Sequence, residues 1–187
     1  LELSNSQRET LKNDLKFPIN VPLRLANSMK KGSLEDPLVK QFLSFSDNST
    51  PKSYSEDPVE DAQFRKTPKL LKKYQGRVLL LTSATCPMHC RYCFRQNFDY
   101  QQEDKTFAEE ISFIKSDESI KEVILSGGDP LSLSNETLSK LLTSIDQIPH
   151  ITKIRFHTRF PIGIPERIDS QFVKILSALK KQVIFII

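Results

Sequence analysis

The sequence has no tryptophan, three histidines, three cysteines and five glycines in 187 residues. It has no apolar run near the roughly 18 residues of a membrane span. Its first residues are polar and mixed in charge, unlike a secretory signal. These absences argue against a membrane protein and a secreted disulfide framework, so we expect a cytoplasmic protein. The net charge of +4 is too small to predict nucleic acid as a partner.

The cysteines are the most specific feature that the sequence does contain. All three lie in one stretch, Cys86, Cys90 and Cys93, with the spacing C-x3-C-x2-C. An odd number of thiols crowded into one loop argues against disulfides. Three thiolates can instead hold one metal centre, and they leave a four-iron cluster one protein ligand short. The iron without a protein ligand would be open to chemistry.

Structural zinc and unrelated buried thiols stay open as alternatives on sequence alone. Cys86, Cys90 and Cys93 together with His89 would supply four ligands of the types that structural zinc accepts. Zinc ligands are usually spaced as two pairs, however, and His89 directly precedes Cys90, which makes convergence on one ion awkward. Three buried thiols without a shared role are less typical of so short a stretch. We therefore favour a cluster.

The chain divides by pattern into a helical region over residues 1–76 and an alternating region over residues 77–187. The first is predicted to consist of short helices and turns, with a loop over 44–55 and a further short helix over 69–74 that Gly76 ends. The second alternates apolar runs with amphipathic helical stripes. The runs are 78–81, 123–125, 154–156 and 183–187. Runs without polar alternation predict strands of a parallel sheet that are buried on both faces.

Polar or glycine-rich motifs follow the first three runs. The cysteine stretch follows the first, Ser126-Gly127-Gly128-Asp129-Pro130 the second and His157-Thr158-Arg159 the third. The carboxyl ends of parallel strands carry the chemistry in α/β barrels, so we expect one shared site. Two glycines would let a ligand approach the backbone closely, although a plain turn would use the same residues.

A basic segment precedes the first run. Residues 62–77 contain six cations and no acid: Arg65, Lys66, Lys69, Lys72, Lys73 and Arg77. This pattern is typical of a solvated helix face, or of a collar of cations for a phosphate or carboxylate.

The run Cys90-Arg91-Tyr92-Cys93-Phe94-Arg95 resembles the lysine 2,3-aminomutase family of the radical S-adenosylmethionine (SAM) superfamily. The leader segments 17–22 and 31–38 are similar to the branch that supplies (R)-β-lysine for modification of elongation factor P. The resemblance implies an α/β fold, in which a helical amino-terminal layer precedes the first half of a (β/α) partial TIM barrel. It also implies three cofactors: a [4Fe-4S] cluster, SAM and pyridoxal 5′-phosphate (PLP).

The resemblance further implies roles for individual residues. Cys86, Cys90 and Cys93 would hold the cluster; Gly127, Gly128 and Asp129 would bind the SAM amino group; Arg159 would bind the SAM carboxylate; Arg95 would bind the substrate carboxylate; Arg77 and Lys73 would bind the PLP phosphate. Family members usually carry arginine where this chain has Lys73, which keeps the charge but loses the planar guanidinium fork.

The function that the resemblance implies is conversion of L-lysine to (R)-β-lysine. Its partners would be a reductant such as flavodoxin or ferredoxin and the elongation factor P lysylation machinery, with a possible homo-oligomer. A radical SAM enzyme without PLP and a non-catalytic metal-binding fragment are the alternatives. Because no helix follows the last run, we expect an amino-terminal part with four core strands, inactive alone.

Overall fold

The four apolar runs are parallel β-strands in the computed structural model, which describes residues 1–11, 18–45, 55, 57–100 and 106–187. They form β3 (Arg77–Ser83), β4 (Glu122–Gly127), β5 (Lys153–His157) and β6 (Gln182–Ile186). Val78, Val123, Ile154 and Val183 lie side by side across the four strands. The predicted parallel pairing is therefore confirmed, in a mixed α/β fold.

Three amphipathic helices connect these strands: α4 (Ala108–Ser116), α5 (Asn135–Asp146) and α7 (Ser170–Ser177). A four-residue helix, α6 (Phe160–Gly163), follows β5. Their apolar faces pack on the sheet, and the core includes Ile111, Ile114, Leu138, Leu142, Ile145, Phe156 and Phe172. Phe156 stacks on Phe185 with ring centroids 4.7 Å apart. Within the described residues, every helix is too short or too polar to cross a bilayer.

The predicted helix over residues 69–74 is wrong. The sheet has two further strands there, β1 (Arg65–Thr67) and β2 (Leu70–Leu71), which give the strand order β1-β2-β3-β4-β5-β6. Leu70 and Leu71 pair antiparallel with Leu80 and Leu79 of β3, and both are buried. Adjacent leucines can both be buried in a strand covered on its two faces, so tertiary pairing overrides the local helical pattern.

The amino-terminal residues form three short helices, α1 (Asn5–Glu9), α2 (Leu23–Ser28) and α3 (Pro37–Phe42). Asp36 caps α3, because its carboxylate accepts hydrogen bonds from the backbone N–H groups of Leu38 and Val39. These helices pack around a small core of their own, which includes Leu25, Met29, Val39, Phe42 and Leu43. Most of the predicted 44–55 loop, and Phe17 of the leader, lie outside the described residues.

The chain forms two compact units, and their boundaries differ from the pattern-based division at residue 76. One unit comprises Leu1–Pro58 and Pro87–Phe98, and the other comprises Val59–Cys86 and Asp99–Ile187. Residues 59–76 belong with the sheet because β1 and β2 are part of it. Residues 87–98 belong with the amino-terminal helices because Met88 and Cys90 are buried in their core.

The amino end of the sheet is held by a buried carboxylate. Glu122, the first residue of β4, accepts a hydrogen bond from Nε of Arg155 in β5 at 2.9 Å and forms an ion pair with its Nη2 at 2.6 Å. Arg77 of β3 lies on its other side, with Nε 3.8 Å from Oε2. One acidic side chain on β4 thus contacts both neighbouring strands.

Candidate functional site

The ends of β3 and β4 touch through their backbones. We call residues 83–85 the β3 end, residues 127–129 the β4 end and residues 157–159 the β5 end. Gly128 N–H donates to Ser83 O at 2.6 Å, and Asp129 N–H donates to Thr85 O at 3.0 Å. The cysteine stretch begins at the next residue after Thr85. The motif that follows β4 therefore lies directly against the start of the cysteine stretch.

Both glycines of the β4 end are needed for this contact. A Cβ on Gly127 would lie 2.5 Å from Ser83 O, and a Cβ on Gly128 would lie 2.4 Å from Thr85 O. Gly127 also has a φ of +119°, a backbone conformation that residues with a Cβ rarely adopt. Close packing of the chain on itself thus accounts for both glycines. Their predicted role in binding SAM stays a prediction.

Asp129 joins the β4 end to the β5 end. Its carboxylate accepts from Thr158 Oγ1 at 2.7 Å and 2.9 Å and from Arg159 N–H at 2.8 Å. It also accepts from Leu131 N–H at 3.0 Å. The side chain is buried, and this burial raises its pKa, while the hydrogen bonds from Arg159, Thr158 and Leu131 act in the opposite direction.

Hydrogen bonds of its backbone N–H and carbonyl position Arg159. It precedes α6, its own N–H is held by Asp129, and its carbonyl accepts from Ile162 N–H at 3.1 Å. The three motifs predicted to share a site are therefore adjacent where each follows its strand. Sequence order alone had suggested this arrangement, and the hydrogen bonds establish it for the β3, β4 and β5 ends.

The second half of the cysteine stretch is held by the amino-terminal helices. His89 N–H donates to Asn20 O at 2.8 Å, and the His89 Nδ1 donates to Pro18 O at 2.7 Å. Arg91 N–H donates to Gln41 O at 2.8 Å. Cys90 is buried in the apolar core of this unit. Sequence analysis gave the leader a family resemblance only, whereas here its backbone fixes the cysteine loop.

The three thiols are divided between the two compact units. Cys86 ends one segment of the sheet unit, whereas Cys90 and Cys93 belong to the other unit. In the described part of the chain, no three His, Cys, Asp or Glu side chains are grouped closely enough to hold a single ion. None of the three cysteines forms a disulfide. The metal-binding role of each cysteine stays a prediction.

Arg95 lies in a short 3₁₀ helix, Phe94–Asn97, directly after Cys93. It is buried, and its guanidinium lies 4.9 Å from the Phe94 ring centroid and 5.3 Å from that of Phe98. Contacts with two aromatic rings restrain the orientation of a guanidinium, which suits recognition of a carboxylate. Substrate binding by Arg95 stays a prediction.

Arg77 and Lys73 lie at the opposite end of β3 from the cysteines. Arg77 begins β3 and Ser83 ends it, so the two are separated by about 20 Å at roughly 3.3 Å per residue. Lys73 donates to Val59 O at 2.7 Å and lies 4.8 Å from the Phe64 ring centroid. The structure does not bring either cation to the β3 end. Their predicted contact with PLP stays a prediction.

Gly128 offers a direct test of the packing at the β4 end. Gly128→Ala should lower the free energy of unfolding by more than Gly76→Ala, because only the first substitution drives a Cβ into backbone. Gly76 has a φ of +75°, but a Cβ there would lie 3.9 Å from its nearest neighbour, Ser119 O. Its replacement should therefore cost only about 1 kcal/mol. Urea denaturation measures both variants, and equal losses would contradict this account.

The raised pKa of Asp129 predicts a specific pH dependence. Between the ordinary pKa of aspartate and the raised one, folded Asp129 keeps a proton that the unfolded chain has released. The wild-type chain should therefore lose free energy of unfolding relative to Asp129→Asn as pH rises through this window, and then level off. Urea titrations of both proteins from about pH 4 to about pH 7 would measure the difference. A flat difference would refute the prediction.

Comparison with known proteins places this site in a family. A family model described as a 4Fe-4S single cluster domain matches residues 74–162, which contain all three cysteines and the β4 and β5 ends. The L-lysine 2,3-aminomutase of Escherichia coli is 36% identical over 174 residues, covering 91% of this chain and 51% of its own length. The enzyme of that name from Haemophilus influenzae is 33% identical, with 91% and 52% covered.

A third relative agrees over a shorter region. The L-lysine 2,3-aminomutase of Clostridium subterminale is 36% identical over 125 residues, covering 65% of this chain and 30% of its own length. The chain spans about half the length of the Escherichia coli and Haemophilus influenzae proteins. On this evidence the chain matches a radical SAM-type 4Fe-4S domain and is homologous to the lysine 2,3-aminomutases over 91% of its own length.

Proposed function

We propose that this chain provides the cluster-binding and SAM-binding part of a radical SAM aminomutase that converts L-lysine to (R)-β-lysine. The observation that carries the proposal is the placement of the cysteine stretch immediately after the β3 end, in backbone contact with the β4 end. The matched 4Fe-4S domain over residues 74–162 and the aminomutase relatives support it.

The donor set of the cysteine stretch fits a [4Fe-4S] cluster. Cys86, Cys90 and Cys93 would each bind a different iron, so they need not converge on one point as ligands of a single ion must. Burial of Cys90 among apolar side chains would keep water from that side of the cluster. The hydrogen bonds of His89 and Arg91 to Asn20 and Gln41 would hold the loop while iron binds.

The β4 and β5 ends would bind SAM beside the iron that lacks a protein ligand. The backbone of Gly127 and Gly128 carries no Cβ that would keep a ligand amino group away. Arg159 would bind the carboxylate of SAM through its guanidinium. When bound, the cluster and SAM would supply reductive cleavage of the sulfonium to an organic radical that abstracts hydrogen, and PLP would hold the migrating amino group.

The remaining roles concern the substrate and the partners. Arg95, fixed between Phe94 and Phe98, would bind the substrate carboxylate, and Arg77 with Lys73 would bind the PLP phosphate. A flavodoxin or ferredoxin would deliver the electron, and the elongation factor P lysylation machinery would receive the (R)-β-lysine. The barrel, in this proposal, is a (β/α) partial TIM barrel that β3 to β6 begin.

A radical SAM enzyme without PLP is the second candidate. The observation that favours it is the position of Arg77 at the amino end of β3, about 20 Å by strand length from Ser83 at the other end. Lys73 also donates to a backbone carbonyl, Val59 O.

The cluster is tested by metal analysis of anaerobically purified protein. We expect about four iron and four sulfide per wild-type chain, and loss of both in Cys90→Ser, because a serine oxygen is a poor replacement for thiolate on iron. Tyr92→Phe is the matched control, since the exposed Tyr92 lies in the same loop and is given no ligand role. Zinc without sulfide, or normal iron in Cys90→Ser, would refute the assignment.

The two candidate functions are separated with the full-length protein. A PLP-dependent aminomutase should show PLP absorbance and form β-lysine from L-lysine with SAM and a reductant. Arg77→Met should weaken PLP retention, whereas Arg155→Met, which removes the other arginine on Glu122, should leave it intact. A protein that binds four iron and SAM yet neither retains PLP nor forms β-lysine would establish the second candidate.

A further inference from the structure

Asp129 contacts both neighbouring strand ends at once. Its N–H donates to Thr85 O at the β3 end, 3.0 Å away, directly before the first cysteine. Its carboxylate accepts from Thr158 and from Arg159 N–H at the β5 end. Asp129 itself belongs to the β4 end, so one residue links the three segments that carry the candidate ligands.

Both oxygens of the Asp129 carboxylate accept hydrogen bonds from other residues of the chain. Oδ1 accepts from Leu131 N–H and Thr158 Oγ1, and Oδ2 accepts from Arg159 N–H and Thr158 Oγ1. The residue is 2% exposed, so a ligand could reach these oxygens only after the hydrogen bonds break. This arrangement suits an internal brace, and it differs from the sequence-based prediction that Asp129 binds SAM.

Thr158 completes the arrangement. Its hydroxyl donates to the carboxylate and accepts from Phe160 N–H at 3.2 Å. The bonds from the N–H groups of Arg159 and Phe160 thus fix the backbone on both sides of the Arg159 Cα, at the point where β5 leads into α6.

We propose that Asp129 is a positioning residue, which holds the backbone of Arg159 in place beside the β4 end and so determines SAM affinity without touching SAM. This inference rests on the proposed function, because Arg159 is the residue assigned to the SAM carboxylate. Burial of an ionised carboxylate costs stability, which the raised pKa of Asp129 reflects. The carboxylate nevertheless satisfies the buried donors of Leu131, Thr158 and Arg159, which a side chain with a single acceptor oxygen would leave partly unpaired.

Three variants of the full-length, anaerobically reconstituted protein test the proposal. Asp129→Asn keeps the shape but turns one acceptor into a donor, so it must lose a bond from either Arg159 or Leu131 N–H. Thr158→Val removes the hydroxyl, and Thr158→Ser keeps it. For each we measure iron content, the unfolding midpoint, and SAM affinity by equilibrium dialysis.

We expect SAM affinity to fall about tenfold in Asp129→Asn and in Thr158→Val, as for loss of one charge-assisted hydrogen bond. Iron content should stay near that of wild type, each variant should remain folded at the assay temperature, and Thr158→Ser should bind SAM normally. Should Asp129→Asn fail to fold, Thr158→Val decides by the same measurements.

Each other outcome overturns the inference. Unchanged SAM affinity in both variants removes the link to Arg159. Weak binding in Asp129→Asn with normal binding in Thr158→Val indicates direct SAM contact by the carboxylate. Loss of iron or of folding in both indicates a purely structural role. Failure of the proposed function looks different, because wild-type protein itself would then bind no iron or no SAM.

Discussion

Contact between Gly128 and Thr85 is the constraint on which the rest of the candidate site depends. A methyl group at Gly128 would lie 2.4 Å from the Thr85 carbonyl oxygen, so a residue with a Cβ could not bring the two backbones this close. This approach is what permits Asp129 N–H to reach Thr85 O and the Asp129 carboxylate to reach the β5 end. The positions of the residues assigned to the cluster and SAM at these strand ends depend on this close approach.

The cysteine stretch depends on two different kinds of support. On its amino side, Cys86 follows directly from a buried parallel strand and the β3 end, whose position is set by the sheet. After Cys86 the stretch is packed on short helices, with Met88 and Cys90 in an apolar core and backbone bonds to Asn20 and Gln41. Packing and hydrogen bonds thus restrain residues 87–98 within their own unit, independently of any metal.

The sequence predicted the elements that carry a clear apolar pattern, either an uninterrupted run or a helical stripe. Uninterrupted apolar runs gave the four parallel strands, and apolar stripes gave α4, α5 and α7. It failed at β1 and β2, because strands of three and two residues carry no period and the basic residues around them suggested a helix. The role of Asp129 was also inaccessible, since its partners Thr158 and Arg159 are 29 and 30 residues away and only the folded sheet brings them to it.

Residue types at the candidate site were predictable, but their positions were only partly so. Three cysteines at this spacing favour an iron–sulfur cluster without any structure, with structural zinc as the alternative. Arg77 and Lys73 were assigned by resemblance, and a resemblance does not say at which end of a strand a residue lies. Packing against Phe94 and Phe98 likewise gives Arg95 a fixed orientation that no sequence pattern indicates.

The two buried carboxylates of the β4 segment have a consequence for strand alignment. Strands that are apolar on both faces have little to oppose sliding by one residue, because the faces exchange one hydrophobic set for another. Glu122 binds Arg155 where β4 begins, and Asp129 binds Thr158 just beyond its end. Sliding of β4 against β5 would separate both pairs together. Polar contacts at the two ends of β4 thus specify its register against β5, which the apolar side chains between them leave ambiguous.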